Sequence, residues 1–347
     1  MDVAVIDEPQ RASRREFRRY RHTVLNGVNK VRISLMRDSD GSTMTPTGRP
    51  APAGVEELVL GYRTAEVGLV SIIVPVLNSA ARLERLLASI EAQDYRAVEV
   101  IVNDDARSAD GADAVVASYA ESIAVVYLRQ NDCLGGGRLV GAQHARGEFL
   151  YFVDADMVLG PGVLAECVRA CRDGAIAVCV AEEQVVHEFW SRCKWLDKRV
   201  MRDSDDAESV RFVPAQRYWQ VGGHHPDLMF AEDKDLDLRI RSLGAAIVRT
   251  RHVVRHDEGR LSPARQFRRA YYWTQFRSVT RSVSPAAAAV PTRIGWRVAL
   301  YLRRWPMLAR HPLLTLGLGV LRSADVLGLL AASLPGWTRS RRMDYRK

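Results

Sequence analysis

The sequence predicts an α/β protein: a mostly parallel sheet with helices on both faces, carrying a helical C-terminal extension. Two observations support this. From about residue 67, short β-branched runs alternate with amphipathic helical segments, the pattern of parallel strands joined by crossover helices. After Arg260 the alternation stops, and basic, aromatic or apolar helical stretches take over. The chain therefore divides into a basic N-terminal segment and linker (1–67), an α/β domain (68–258) and a basic, amphipathic helical extension (259–347).

The elements follow in order. Residues 11–36 are Arg-rich and read as a surface helix; 38–54, with three prolines, read as a linker. Residues 69–77 (LVSIIVPVL) are almost continuously apolar, as a strand covered on both faces must be. Asn78 and Ser79 are placed to cap the next helix, 80–93, whose Leu83, Leu86, Leu87 and Ile90 form one stripe. A strand at 98–102 ends in Asn103-Asp104-Asp105, a helix covers 113–120, and a third strand covers 123–128. Gly135-Gly136-Gly137 opens a helix to about Ala145, and a fourth strand, 149–153, runs directly into Asp154. Pro161 suits the start of a helix to Arg172, and 176–180 is a fifth strand. Beyond the loop 222–230 lies a helix over 232–243. Ligands of such sheets bind at the carboxyl ends of the strands. That rule gathers Val76 to Asn78, Asp104, Asp105, Asp154 and Asp156 into one neighbourhood.

Charge is segregated. The net charge is +9, but residues 1–37 carry +5, 38–259 carry −11 and 260–347 carry +15. Basic ends on an acidic body suit an anionic partner such as a phospholipid surface. Specific nucleic-acid binding is not expected, because the presumptive ligand cleft is acidic. Residues 313–334 are mostly apolar, but Arg322 and Asp325 interrupt them. The clean run, 312–321, is short of the roughly 20 residues a spanning helix needs. The expectation is peripheral, in-plane contact with an anionic membrane; a helical pair packed on the core is the alternative. The acidic N-terminus lacks an apolar run, and the five cysteines include no C-x-x-C pair. Both features suggest a reduced, cytoplasmic setting, at most peripheral to the inner face of the cell membrane.

Three constellations carry the chemistry. Asp154-Ala155-Asp156 puts two carboxylates just past a strand, where they can meet one hard cation that in turn binds a diphosphate. Glu232 and Asp233 open a helix, where one of them can face an acceptor as general base, although the helix dipole alone also favours acids there. Asp235 and Asp237 complicate the choice, and Asp237 with Arg241 reads as a solvated i, i+4 pair. Asp104 and Asp105 can accept from a nucleobase or cap a turn. The triglycine admits either a phosphate at the helix start or a plain tight turn. His256 is placed among charges where the alternating domain ends and can be a metal or diphosphate ligand.

The order of these pieces resembles the family 2 glycosyltransferases of the GT-A fold. The resemblance rests on Val74-Pro75-Val76-Leu77-Asn78, Asn103-Asp104-Asp105 with Asp110, Arg138 with Gly141 and Gly147-Glu148, Phe152-Val153-Asp154-Ala155-Asp156, Trp219-Gln220-Val221-Gly222-Gly223 and Glu232-Asp233-Lys234-Asp235-Leu236. It implies that Pro75, Val76, Asn78, Asp104, Asp105, Arg138 and Asp154 line the nucleotide. It also implies that Asp154, Asp156 and His256 hold Mg²⁺ or Mn²⁺, and that Asp233, flanked by Glu232, is the base. Ser79, Ala106-Arg107 and Leu139 depart from the family's frequent residues at the nucleotide pocket. The implied activity is inverting transfer of a sugar from a nucleoside-diphosphate donor, UDP-sugar favoured, to a hydroxyl on a small-molecule, glycan or lipid-linked acceptor. The rivals are a sugar nucleotidyltransferase and a non-catalytic membrane-associated adaptor.

Overall fold

The computed structural model describes residues 5, 6, 36, 37, 43, 44, 65–130, 134–202, 204, 208–289 and 294–333. Most of the N-terminal surface helix and linker expected from the sequence lies outside them. The strands from residue 66 onward are β1 (Glu66–Val76), β2 (Val98–Asp105), β3 (Ala124–Gln130), β4 (Gly147–Phe152), β5 (Met157–Leu159), β6 (Ala177–Gln184), β7 (Phe212–Pro214) and β8 (Ile247–His256). They form one sheet in the order β3-β2-β1-β4-β7-β6-β8-β5, and the two-residue strand Val5–Ile6 pairs with β3 at the edge.

The half containing β3, β2, β1 and β4 is parallel, as the alternation predicts. The other half is mixed. The short β7 lies antiparallel between β4 and β6, and β5 lies antiparallel against β8. Neither β7 nor β8 is read from the sequence. β8 reads IVRTRHVVRH, with charge at alternate positions, because only Thr250 and Val254 of it are buried.

The helices of the domain are α1 (Ala80–Glu91), α2 (Ala112–Tyr119), α3 (Leu134–His144), α4 (Val163–Arg172), α5 (Phe189–Met201), α6 (Ala215–Gln220) and α7 (Glu232–Arg241). Successive β1 residues point to opposite faces of the sheet. Ile72 and Val74 pack with Leu83, Leu86 and Leu87 of α1 and Leu164 and Val168 of α4. Ile73, with Leu150 and Phe152 of β4, packs with Val140 of α3, Tyr218 of α6 and Leu236 and Ile240 of α7. This double coverage explains the continuous apolar run.

Three local expectations are corrected. Ser79 does not cap α1 with its side chain. Its hydroxyl donates to the Leu77 carbonyl (3.0 Å), and Asp110 Oδ2 accepts from the Ala80 N–H (2.7 Å) instead. The helix expected from Pro161 begins at Val163, after Gly162 in the left-handed region (φ 75°). Asp237 is not part of a solvated pair. It is fully buried and accepts from Arg241 Nε (2.9 Å), Lys234 Nζ (2.7 Å) and the Val210 N–H (3.1 Å).

The C-terminal extension is helical: α8 (Pro263–Thr274), α9 (Arg277–Val283), α10 (Pro285–Ala289), α11 (Ile294–Arg303), α12 (Trp305–Ala309) and α13 (Pro312–Ser333). Arg322 and Asp325 do not interrupt α13. It runs unbroken for 22 residues and is long and apolar enough to cross a membrane by length and composition. The charges are tolerated because they face the protein. Arg322 pairs with Asp197 of α5, and Asp325 Oδ1 accepts from Gln266 Nε2 of α8 (2.7 Å). Gly328 permits the close α8 contact, since a Cβ there would sit 2.5 Å from the Phe267 carbonyl oxygen.

Candidate active site

At the carboxyl ends of β1 and β2, Pro75 lies opposite Asn103 and Val76 opposite Asp104. The chain leaves β1 through Asn78 at φ 47°, a conformation asparagine tolerates better than most residues. There the Asn78 N–H donates to Ser108 Oγ (3.1 Å), and its Oδ1 accepts from the Ala109 N–H (3.0 Å), clamping the loop after β2 to the end of β1. Asp104 is buried and accepts from the Tyr127 hydroxyl at 2.7 Å. Its Oδ1 is buried with no partner among the described residues. Burial raises the Asp104 pKa. An orphaned buried acceptor at a strand end is one a ligand N–H can satisfy. Asp105 instead accepts from the Arg107 N–H (2.9 Å) and Nε (2.8 Å).

Past β4 the geometry centres on Arg138. Its guanidinium is almost fully buried and donates through Nη1 to Glu232 and through Nη2 to Asp154 Oδ1 (2.6 Å). One side chain from α3 thus ties the first aspartate of the D-A-D triplet to the start of α7. The other Asp154 oxygen faces Arg211 Nη2 at 3.2 Å. Burial pushes the Asp154 carboxyl up, but Arg211 and then Arg138 outweigh it and hold it at about 2. Burial, with help from the Asp233 charge, pushes Glu232 up to about 7 against the pull of Arg138.

Asp156 faces a different set. His256, at the end of β8, brings Nε2 within 3.3 Å of Asp156 Oδ1, and Arg82 lies 3.8 Å from Oδ2. His256 Nδ1 meets Glu182 Oε2 at 3.1 Å and Lys198 Nζ at 3.2 Å. Burial and Lys198 lower the imidazole pKa, but the hydrogen bonds to Asp156 and Glu182 lift it to about 9.

These residues allow a test of whether a divalent cation fits. Asp156 and His256 are an oxygen and a nitrogen donor already within contact of each other. Mg²⁺ in particular takes one or two carboxylates and completes its shell with water and substrate phosphates. The pair fits such an ion. Among the described residues no three His, Cys, Asp or Glu side chains group as a metal site. Both Asp154 oxygens face guanidinium groups, so Asp154 would reach an ion only by exchanging one of them.

Helix α7 separates its acids by partner. Glu232 is bonded to Arg138, Asp235 to Arg239 and Asp237 to Lys234 and Arg241. Asp233 is half-buried and forms no ion pair among the described residues; its Oδ1 accepts the Lys234 N–H at 2.7 Å. The preceding residue, Ala231, is left-handed (φ 57°), and Thr280 of α9 donates to the Phe230 carbonyl just before it (2.9 Å). The triglycine serves packing here. A Cβ on Gly135 would collide with the His225 carbonyl oxygen and lie 2.6 Å from that of Leu228, so α3 abuts the 222–230 loop.

The fold therefore brings Arg138, Asp154 and Glu232 together, and separately Asp156 with His256. Arg211, Glu182, Lys198 and Arg82 are site residues that the sequence reading misses. For Glu182 a signal existed: β6 continues to Gln184, so the strand-end rule applied to its true end marks Glu182. Nothing local marks Arg211.

Residues 71–213 match the family model for glycosyl transferase family 2. The mixed sheet with helices on both faces is that of the GT-A fold, and over residues 71–213, less than half of the chain, the sequence is similar to glycosyl transferase family 2. Among its relatives is the GalNAc(5)-diNAcBac-PP-undecaprenol β-1,3-glucosyltransferase of Campylobacter jejuni, 33% identical over 120 residues, covering 33% of this chain and 39% of that one. Another is the validoxylamine A glucosyltransferase of Streptomyces hygroscopicus subsp. jinggangensis, 34% identical over 112 residues, covering 31% and 26%. The chain spans less than half the length of the first curated relatives it matches. The fold is also that of a mannosyltransferase from Pyrobaculum calidifontis solved with GDP-Man and Mn²⁺ (TM-score 0.51, 21% identity, 78% of this chain and 88% of that one).

Proposed function

We propose that this chain is an inverting glycosyltransferase that moves a sugar from a nucleoside-diphosphate donor, with UDP-sugars the first to test, to a hydroxyl on a lipid-linked or membrane-proximal acceptor. The observation that carries the reading is the Arg138 guanidinium, which contacts both Asp154 and Glu232. A donor-side aspartate and the acceptor-side acid pair are thereby held on one rigid group. Pro75, Val76 and Asn78 shape the nucleotide side, and the orphan Oδ1 of Asp104 accepts from a base N–H. Asp156 and His256 hold Mg²⁺ or Mn²⁺, which supplies charge neutralisation for the departing diphosphate. Asp233, which alone of Glu232, Asp233, Asp235 and Asp237 forms no ion pair among the described residues, takes the acceptor proton as the hydroxyl oxygen attacks the anomeric carbon.

Asp233→Asn should lower transfer by roughly 10²–10⁴-fold and leave donor binding near wild type, read by calorimetry with UDP and Mn²⁺. Equal loss of binding and turnover would sink the assignment of Asp233 as base.

The acceptor side of the proposal rests on the extension. One face of α13 packs on α8 and α5, and the other exposes Leu313, Leu316, Val320, Leu327 and Leu330. Val298 and Leu302 of α11 and Trp305 of α12 are exposed too, as are Arg303 and Arg310. Because Arg322 and Asp325 tie α13 to the body, it lies along a bilayer surface rather than across it. The C. jejuni relative's name places its own acceptor on PP-undecaprenol, and a lipid-linked acceptor suits a surface of this kind. The chain should co-sediment with anionic vesicles more than with neutral ones, and Leu316→Glu with Leu327→Glu should abolish this. Equal partition of the double variant and wild type would refute the docking surface.

A further inference from the structure

We propose that Glu182 is a positioning residue that fixes the orientation and tautomer of His256 for the divalent cation, with Arg211 and Lys198 clamping Glu182 in place. The inference rests on the metal-assisted reading above.

β6 and β8 are parallel neighbours, with Val254 opposite Glu182 and His256 opposite Gln184. That register sets the Glu182 carboxylate beside the imidazole. Its Oε2 meets His256 Nδ1 at 3.1 Å, while Nε2 on the far side of the ring points to Asp156 at 3.3 Å. The two ring nitrogens are therefore assigned to different partners. A histidine that ligates a metal through one nitrogen usually donates its other N–H to a carboxylate or carbonyl, which sets the tautomer and raises its basicity. Glu182 is placed to be that carboxylate.

Lys198 makes the choice consequential. Its ammonium lies 3.2 Å from His256 Nδ1 and carries only donors. Left alone with the ring, it would donate to Nδ1 and move the ring proton to Nε2, removing the lone pair a cation needs. Glu182 prevents this by accepting from both: Lys198 Nζ is 3.2 Å from Oε2. The opposite oxygen, Oε1, accepts from Arg211 Nε at 2.9 Å, so the carboxylate is gripped on both sides. A glutamine would have one acceptor oxygen for these two sets of donors and would have to abandon one of them.

The competing explanation is that Glu182 merely neutralises Arg211 and Lys198. The full chain is titrated with Mn²⁺ in the presence of UDP, and free Mn²⁺ is read by electron paramagnetic resonance. Glu182→Gln should weaken Mn²⁺ binding by roughly 10–100-fold, yet add less than about threefold in a His256→Asn background, where there is no ring to position. Glu182→Asp keeps the charge but withdraws the carboxylate by a methylene. It should also weaken binding, whereas simple neutralisation predicts wild-type affinity, and it serves if the glutamine variant does not fold. Wild-type affinity in Glu182→Asp, or the same loss with and without His256, overturns the positioning role alone. A wild-type chain that binds no Mn²⁺ with UDP overturns the metal-assisted reading and this inference with it.

Discussion

Replacing Arg322 by Leu tests how the C-terminal extension is attached. The Arg322 guanidinium pairs with Asp197 of α5 through Nη2, with Asp325 through Nη1 (2.7 Å), and its Nε reaches the Tyr301 hydroxyl (3.3 Å). Asp197 is only 2% exposed. Removing one partner of a buried pair costs about 3–5 kcal/mol, because the other charge stays buried. Here two groups still serve Asp197 in the variant: the Tyr301 hydroxyl at 2.6 Å and Lys194 at 3.9 Å. The expected loss is therefore lower, about 2–3 kcal/mol. At about 2–4 °C per kcal/mol for domains of 150–250 residues, that is a fall in Tm of roughly 5–10 °C. Thermal unfolding by near-ultraviolet circular dichroism reads it, and Asp197→Leu with Arg322→Leu should be less destabilised than the sum of the single variants. An Arg322→Leu chain that melts with the wild type would refute the reasoning, for it would mean that α13 does not lean on α5. A bilayer-spanning α13 would behave that way.

Two further outcomes follow from the site. Gly135→Ala puts a Cβ against the carbonyls of His225 and Leu228, so backbone must move. A stability loss of about 1–3 kcal/mol is expected, with KM for acceptor raised more than KM for donor; an unchanged acceptor KM would contradict the packing of α3 on that loop. The Asp154 pKa is depressed from the ordinary 3.8 to about 2. Its contribution to stability is thus fully present above pH 3.8 and is lost as pH falls through about 2. Tm measured from pH 5 down to 2 should fall less steeply in Asp154→Asn than in wild type, and parallel curves would show that the carboxylate is not held by its two arginines.

Much of the central fold was legible because its signals are local. The β-branched run through Ile72, Ile73 and Val74 reports a strand covered on both faces, and the Leu83, Leu86, Leu87 and Ile90 spacing reports the face α1 buries. The strand ending at Asp154, the apolar-to-acid transition at Asn103-Asp104-Asp105 and the acids opening α7 are likewise one-segment patterns. β8 was not legible, because a strand with two buried positions in ten carries no apolar period. The burial of Asp237 was hidden too, since its partner at i+4 looks the same on a wet surface as beneath Lys234.

By itself the sequence determined the α/β alternation, the strand ends that carry the acids, and the segregation of positive charge to the two ends. Only the tertiary structure decided which charge meets which: Arg138 between Asp154 and Glu232, Arg211 between Asp154 and Glu182, and Arg322 turned inward from an apolar helix. The physical reason is range. Periodicity and propensity act over one or two turns of chain, whereas a buried ion pair is chosen by how distant elements stack, and no stretch of chain records its partner's address.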